Sequence, residues 1–222
     1  MKDFIVKSIP QEQTHDWILN KHYAKRIPPI MFAFGLYDQD KDLQGVCTFG
    51  MPTRMFNSGF AIFGGRLEIA TYELNRLVMN EGLPKNALSF FLGRCFKAFK
   101  KPTCLVSYAD GNMQHHGYIY QATNWIFTGK TESRAKFVDK NGKEIHERTI
   151  WSRYGDEKNA LASGEITKHV QGGKYRYFMF LGDKKQVKEM KNKLVYHIES
   201  YPKGDNKKYN ASYSPKIQRI LL

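Results

Sequence analysis

Two hydrophobic periods alternate along the chain and predict a mixed α/β protein. Short apolar runs rich in β-branched and aromatic residues predict strands, and apolar positions three or four residues apart predict helices. Strands are expected at residues 4–6, 30–37, 43–50, 67–79, 103–108, 125–128, 130–138, 144–151 and 175–181, and helices at residues 11–21, 87–100, 113–122, 157–163 and 184–193. A chain of 222 residues can bury one substantial core. We therefore expect a single domain over residues 1–181 and a basic helix and tail over residues 182–222.

The strand at residues 67–79 carries an arginine among apolar residues. In a regular strand Leu74, Arg76 and Val78 share one face, and Glu73 lies on the other with Asn75, Leu77 and Met79. Arginine does not lose its proton, so Arg76 in a central strand must meet an anion. The candidates are the carboxylate of Asp110 on the neighbouring strand and the phosphate of a ligand.

Residues 107–125 contain the candidate active site. A buried strand is expected to end here at Asp110. The sequence Asp110-Gly-Asn112 is typical of a turn, and a helix is expected to follow. Asp110 then lies at the carboxyl end of a strand and faces the amino end of a helix, which is where α/β sheets bind ligands. The alternative is that Tyr108, Asp110 and His115 only cap and pack.

The charge of the chain points to a polyanionic partner. The 35 Lys and Arg residues outnumber the 21 Asp and Glu residues, which leaves a formal charge of +14 and makes nucleic acid the first partner to test. Lys25 and Arg26 follow Tyr23 in a loop before two prolines and form a predicted phosphate-contacting edge. Arg54 and Arg134 complete the predicted DNA-binding set. A basic protein without such a partner is the alternative.

Other features of the sequence narrow the location of the protein. Cys47, Cys95 and Cys104 lack metal-ligand spacing and predict reduced core thiols. No apolar run reaches the length of a membrane span, and no secretory leader is recognised. We expect a cytoplasmic protein.

A loop at residues 82–86 leads into the helix at residues 87–100. Free backbone N–H groups at the start of a helix attract phosphate oxygens. Asn86 and Ser89 could equally serve as ordinary helix caps.

The order of the elements resembles the core of the GNAT acyltransferases, a mixed central sheet flanked by helices, here with a basic C-terminal extension. Four motifs resemble the phage Mom DNA-modification family over residues 15–155: Asn20-Lys-His-Tyr-Ala-Lys-Arg-Ile-Pro28, Glu73-Leu-Asn-Arg-Leu-Val78, Leu83-Pro-Lys-Asn-Ala-Leu-Ser89, and Ser107-Tyr-Ala-Asp110 with Tyr118-Ile-Tyr-Gln-Ala-Thr-Asn-Trp125. One departure is Gln114, where many relatives are expected to have glycine.

The resemblance implies a transferase that places a carbamoylmethyl group on the N6 amine of adenine in double-stranded phage DNA and so protects that DNA from host restriction. It implies a cofactor of the acetyl-CoA type, a CoA thioester, and Arg76 and Ser89 match family positions tied to activity and cofactor. The expected cofactor-binding residues are Arg76, Leu77, Val78, Lys85, Asn86 and Ser89. Iron is a second implied cofactor, with His22, Tyr23, Asp110 and Tyr120 as candidate ligands. Nitrogen and oxygen ligands of this kind suit iron better than a structural zinc.

The expected catalytic residues are Asp110, Tyr120, Tyr23 and His22. Asp110 is expected to accept a proton from the adenine amine or to orient that amine. The target base must leave the helix to be reached, and Tyr23, Phe56 or Tyr120 would stack on it. The alternatives are an N-acetyltransferase that acts on a protein or small amine and a basic DNA-binding protein without catalysis. The sequence leaves the oligomeric state open, and a homodimer is one candidate.

Overall fold

The computed structural model describes residues 1, 3–52, 56, 59–204, 213, 215 and 218, apart from the side chains of Arg134 and Gln171. Arg54, one of the predicted DNA-binding residues, lies outside this set.

A seven-stranded mixed sheet forms the body of the described chain. Its order is β1-β2-β3-β4-β5-β10-β6. The β4–β5 pair is parallel and the neighbouring pairs are antiparallel. The strands of this sheet are β1 (Ile5–Ser8), β2 (Phe32–Tyr37), β3 (Leu43–Gly50), β4 (Thr71–Met79), β5 (Thr103–Ala109), β6 (Ile126–Lys130) and β10 (Tyr175–Leu181). This is the expected GNAT-like arrangement, in which the parallel pair lies at the centre.

Helices cover both faces of the sheet. On one face, α1 (Glu12–Asp16) continues as a π-helical turn (Trp17–Lys21). Helices α2 (Phe60–Phe63) and α7 (Lys184–Lys193) pack on the same face. Their apolar residues pack on that face; Trp17, for example, contacts the cluster around Val46 and Val78. On the opposite face, α3 (Ala87–Phe96) and α4 (Tyr118–Ala122) bury their apolar residues in the largest core cluster.

A separate small unit is inserted between β6 and β10. It consists of β7 (Arg134–Asp139), β8 (Glu144–Ile145), α5 (Glu147–Tyr154), α6 (Glu157–Ala162) and β9 (Ile166–Gln171). Its sheet has the order β8-β7-β9. Phe137, Ile150, Ala160 and Ile166 form its own core.

One sequence prediction fails in this unit, and one of its strands has no counterpart among the predictions. The strand expected at residues 144–151 is β8 for two residues and then becomes α5, because the His146 side chain accepts a hydrogen bond from the Arg148 N–H and so caps a helix. Strand β9 was not predicted, because most of its residues are exposed and it lacks an apolar alternation. The helix expected at residues 113–122 is also shorter: a 3-10 turn (Gly111–Met113) precedes α4.

The C-terminal extension lies on the domain. Helix α7 begins with a capping box between Asp183 and Gln186. The chain after α7 then follows the sheet: the Glu199 N–H donates to the Phe127 carbonyl at 3.0 Å, and the Tyr201 hydroxyl donates to the Trp125 carbonyl at 2.7 Å. These contacts fix residues 199–201 along the β6 edge.

Candidate functional site

The central parallel strands separate partway along their length. Among the described residues, β4 and β5 pair only from Thr71 opposite Cys104 to Glu73 opposite Val106. Just past this point the Ser107 hydroxyl donates to the Leu74 carbonyl at 2.7 Å. The edge of β4 that faces β5 has no strand partner beyond this contact, so its backbone N–H and C=O groups can bind a ligand.

A β-bulge at Asn75 changes which side chains of β4 share a face. Thr48 of β3 pairs with Arg76, and the next residue, Phe49, pairs with Leu74, which leaves Asn75 as the extra residue. Glu73 and Arg76 therefore lie on the same face, and the predicted placement of Glu73 on the face opposite Arg76 is wrong. Leu74 likewise lies on the opposite face from Arg76.

The bulge is held on both sides by the Asn75 side chain. Its Oδ1 accepts a hydrogen bond from the Thr48 hydroxyl at 2.6 Å, and its Nδ2 donates to the Pro29 carbonyl at 3.0 Å. These bonds connect the bulge to β3 and to the loop before β2, so the displaced face of β4 is fixed.

The Arg76 guanidinium is bound by backbone carbonyls. Its Nη2 and Nε donate to the Arg26 carbonyl at 2.8 Å and 3.2 Å, and its Nη1 donates to the Asn75 carbonyl at 2.6 Å. Burial lowers the pKa of Arg76, whereas nearby Tyr23 and Glu73 act to raise that pKa. Among the described residues no carboxylate lies within 4.0 Å of it, so the expected ion pair with Asp110 is not formed. Arg76 instead fixes the segment that carries Lys25 and Arg26.

His22 and Tyr23 lie directly after the π-helical turn. Their rings stack with centroids 4.4 Å apart, and the Tyr23 ring meets His115 edge-on at 5.8 Å. The His22 Nδ1 accepts a hydrogen bond from the Ala24 N–H at 3.0 Å. Burial, the charge of Arg76 and His115 together lower the pKa of His22 to about 3. His22 is therefore a neutral imidazole near pH 7.

Tyr120 enters the gap from the other face of the sheet. Its hydroxyl lies 2.7 Å from the Ser107 Oγ, and its ring packs against Trp125 and Tyr177. Burial raises the pKa of Tyr120, so its hydroxyl stays protonated. Tyr118, two residues earlier, is 68% exposed and faces solvent. The side chains of Tyr120 and Phe56 are buried, so neither ring has a face open for stacking on a base.

Asp110 stabilises the turn that follows β5. Its Oδ1 accepts hydrogen bonds from the Asn112 N–H at 3.0 Å and from the Asn112 side chain at 3.1 Å. Its Oδ2 lies 4.0 Å from the Lys174 Nζ. Asn112 Oδ1 in turn accepts from the Gly172 N–H at 3.0 Å, which joins the turn to the end of the inserted unit.

Glu73 was not among the candidates chosen from the sequence. Burial raises the pKa of this carboxylate, and the charges of Lys174 and Arg76 oppose that rise. Glu73 also contributes to the raised pKa of Tyr120, which places it close to the strand gap. The signal that could have identified it is an acidic residue inside an otherwise apolar central strand.

The amino end of α3 adjoins the carboxyl end of β4. Asn86 adopts a left-handed conformation with φ 71° and makes no side-chain capping bond, so the Asn86 cap considered as an alternative is not formed. The Ser89 hydroxyl donates to the Asn86 carbonyl at 3.0 Å, and Lys85 is exposed. The Val78 side chain is buried and Leu77 packs on the core, so a ligand in the gap can reach only their backbone.

The predicted DNA-binding residues fall in two places. Lys25 and Arg26 are exposed in the loop that Arg76 holds. Arg134 begins β7 in the inserted unit, with its side chain outside the described set.

The proposed iron ligands do not form a metal site. Tyr120 is hydrogen-bonded to Ser107, Asp110 Oδ1 to Asn112, and His22 Nδ1 to Ala24. Within the described residues no group of three or more His, Cys, Asp or Glu side chains could hold a metal ion. Iron is therefore not supported by this arrangement.

The fold is a GNAT-like mixed sheet flanked by helices, with a central parallel pair that opens beside a half-buried carboxylate. A model of the Mom protein family matches residues 3–203, and the chain belongs to this family. The methylcarbamoylase mom of Escherichia phage Mu is 26% identical over 209 residues, which are 91% of this chain and 85% of the phage Mu protein.

Several solved structures resemble the chain at low sequence identity. Arabidopsis thaliana NAA60 in complex with acetyl-CoA has a TM-score of 0.49 and 10% identity, covering 80% of this chain and 98% of that chain. A mutant spermidine N-acetyltransferase from Vibrio cholerae has a TM-score of 0.45 and 8% identity, covering 81% and 95%. In the described part of the chain no helix is long and apolar enough to cross a membrane.

Proposed function

We propose that this protein transfers a carbamoylmethyl group to the exocyclic amine of adenine in double-stranded phage DNA, which protects that DNA from host restriction. The proposal is carried by the half-buried carboxylate of Glu73, which lies where β4 and β5 separate and shares a face with Arg76. It is supported by the 26% identity to the phage Mu methylcarbamoylase.

The chemistry requires a base. The lone pair of the adenine amine is delocalised into the ring, so the amine must lose a proton as its new bond forms. A carboxylate with a raised pKa accepts a proton more readily at neutral pH than an ordinary one. Burial raises the pKa of Glu73, and we assign Glu73 as the residue that takes this proton. Asp110 is then a positioning residue, because its carboxylate holds the turn at the end of β5.

Tyr120 supplies the complementary group. Its raised pKa keeps the hydroxyl protonated beside the strand gap, and Ser107 orients it at 2.7 Å. As the amine forms its bond to the methylene carbon of the donor, the leaving group on that carbon departs; the Tyr120 hydroxyl can protonate this leaving group, while Glu73 holds the proton removed from the amine. Glu73 and Tyr120 lie in different environments, which suits the separate roles of base and acid.

A CoA thioester fits the gap and the adjacent helix. The amino end of α3 lacks a capping bond from Asn86, and helix amino ends attract phosphate oxygens. The β4 backbone at Leu77 and Val78 is open on the β5 side, and Lys85 adds a nearby positive charge. When bound, such a cofactor would supply the two carbons of the transferred unit; the bond to the adenine nitrogen is made by the methylene carbon and not by the thioester carbonyl carbon.

The target adenine must leave the stack, because its amine is inaccessible inside the duplex. Tyr23 is the remaining aromatic candidate for stacking on it, since the rings of Phe56 and Tyr120 are buried. Lys25 and Arg26 are exposed beside Tyr23 and can contact the phosphates on either side of the extruded nucleotide.

Nucleoside mass spectrometry tests this function. DNA from cells expressing the protein is digested and compared with DNA from cells expressing Glu73→Gln. A carbamoylmethyl-adenine nucleoside in the first sample alone is the expected result. Unmodified DNA together with acetylated protein or polyamine would support the N-acetyltransferase alternative, and no transfer to any acceptor would support a non-catalytic DNA-binding protein.

A further inference from the structure

Helix α7 carries the most concentrated positive charge among the described helices. Five of its ten residues are lysines and one is acidic. Its inner side packs on the sheet through Val187 and Met190. The opposite side is exposed, so the lysines face solvent.

Three of these lysines form a row. Lys184, Lys188 and Lys191 are spaced four and three residues apart, so they lie on one side of the helix. They line a groove of about 440 Å³ together with Asp183, Val187 and Asn192. Within the described chain no carboxylate lies within 4.0 Å of any of the three, whereas Lys193 pairs with Glu189 at 2.7 Å. The row therefore forms no ion pair of its own and outnumbers the single acidic residue of the groove, Asp183, by three to one.

The length of the row matches a DNA backbone. Seven residues of helix at a rise of about 1.5 Å place Lys184 and Lys191 about 10 Å apart along the axis. Successive phosphates of one strand advance by about 3.4 Å along B-DNA, so about three phosphates lie within that distance. A linear polyanion matches this row better than a single anion does.

The row is on the same side of the sheet as the candidate site. Helix α7 packs on Phe178 and Phe180 of β10, in one cluster with Cys104 and Val106 of β5. Val106 pairs with Glu73 and shares its face. Only β5 separates β10 from β4, which is two strand spacings of about 4.8 Å each. Helix α7 follows Leu181, which pairs with Thr103, three residues before Val106, so it begins about 10 Å along the strands from Glu73. A duplex whose adenine enters the gap can span this distance and extend over α7.

We infer that Lys184, Lys188 and Lys191 bind the phosphate backbone of the duplex beside the target adenine. This inference rests on the proposed function and names the surface that holds its substrate. Each neutralised phosphate lowers the slope of log affinity against log salt by about 0.9, so three contacts contribute about 2.7.

The test compares two triple variants that lose equal charge. The first is Lys184→Gln, Lys188→Gln and Lys191→Gln. The matched control is Lys97→Gln, Lys100→Gln and Lys101→Gln, three exposed lysines between α3 and β5. Fluorescence anisotropy with a labelled DNA duplex measures affinity across a range of salt concentrations. Lys and Gln have similar helix propensities, so both variants are expected to fold.

The α7 variant is expected to lose about 2.7 from the salt slope, so the wild type should lose about 40-fold more affinity than this variant between about 50 mM and about 200 mM salt. The α3 variant should keep a slope close to the wild type. Equal slopes for the two variants would overturn the inference and leave the proposed function standing. A wild type that binds no duplex even at low salt would contradict the proposed function as well.

Discussion

Glu73 and Arg76 lie on the same face of β4, although a separation of three residues would place them on opposite faces of a regular strand. The bulge at Asn75 produces this arrangement. It puts a half-buried carboxylate and a guanidinium beside the gap between β4 and β5. Because Arg76 donates to the carbonyls of Arg26 and Asn75, its charge stays close to Glu73 without forming an ion pair.

Replacement of Glu73 by Gln is expected to reduce DNA modification by about 10²–10⁴-fold, the usual contribution of a positioned general base. The wild-type rate should fall as the pH drops through the raised pKa of Glu73, because only the carboxylate accepts a proton. The variant should lack this acidic limb. The measurement is the rate of modification of added duplex in buffered extracts at different pH values.

Asp110→Asn provides the control for this prediction. Asn preserves the capping oxygen for Asn112 and removes the charge. We expect it to keep most of the modification activity. A loss as large as that of Glu73→Gln would reassign Asp110 as the base.

Glu73→Gln should also stabilise the protein at neutral pH. Burial raises the pKa of Glu73, so the folded state binds a proton more tightly than the unfolded state. Wild-type stability therefore declines as the pH rises from the ordinary pKa of a glutamate through the raised pKa of Glu73. The variant has no charge to bury. Its Tm should exceed that of the wild type at pH 7, with the difference disappearing below the ordinary pKa of a glutamate. Equal Tm values at pH 7 would show that the Glu73 carboxylate is adequately solvated.

The sequence predicted the strands of the main sheet and the position of Asp110 at a strand end, because both depend on local hydrophobic period and turn residues. It could not predict the bulge at Asn75, which is held by Thr48 and by the Pro29 carbonyl, 27 and 46 residues away along the chain. The raised pKa of Glu73 has the same origin, since burial depends on elements brought together only in the fold. The α5 helix was missed because its cap is a histidine that accepts a backbone hydrogen bond.

The contacts of the tail after α7 could not be predicted from its composition either. Its aromatic and basic composition is typical of a segment that stacks on nucleic acid. In the structure Tyr196 stacks on Phe178, and the Arg176 guanidinium lies 3.7 Å from the Tyr196 ring centroid. Composition identifies side chains capable of stacking, and only the fold determines which partner they meet.

Tyr120→Phe separates the chemical role of the hydroxyl from the packing of the ring. The phenyl ring still fills the space beside Trp125 and Tyr177, so we expect a loss of only about 1 kcal/mol of stability from the missing hydrogen bond. Modification should fall sharply if the hydroxyl donates a proton. Ser107→Ala removes the same hydrogen bond and keeps the Tyr120 hydroxyl, so it should retain more activity. Equal activities of the two variants would assign the hydroxyl a structural role, as measured by nucleoside mass spectrometry and thermal unfolding.

Arg76→Lys should release the segment that contains Lys25 and Arg26. A lysine ammonium cannot reproduce the planar set of donors that binds the Arg26 and Asn75 carbonyls together, and hydrogen bonds from charged groups contribute about 1.5–3 kcal/mol. Hydrogen exchange at the amides of residues 24–26 should become faster. Arg176→Lys is the matched control, since Arg176 is similarly placed and donates to the hydroxyl and carbonyl of Thr128. Unchanged exchange at residues 24–26 in Arg76→Lys would mean that the segment is held by other contacts.

His22 should make stability depend on pH in the acidic range. Its pKa is about 3 in the folded protein and 6.5 ordinarily, so the unfolded state binds more protons between these values. This contribution to stability is complete above about pH 6.5 and is lost progressively as the pH falls toward 3. His22→Asn should reduce the loss, because its side chain does not titrate. Denaturant unfolding at pH 7 and pH 4.5 measures the difference: the wild type should lose more stability than the variant between these pH values, by on the order of 2 kcal/mol. Equal losses in both proteins would mean that His22 becomes protonated in the folded state without cost, which would contradict a neutral imidazole beside Arg76.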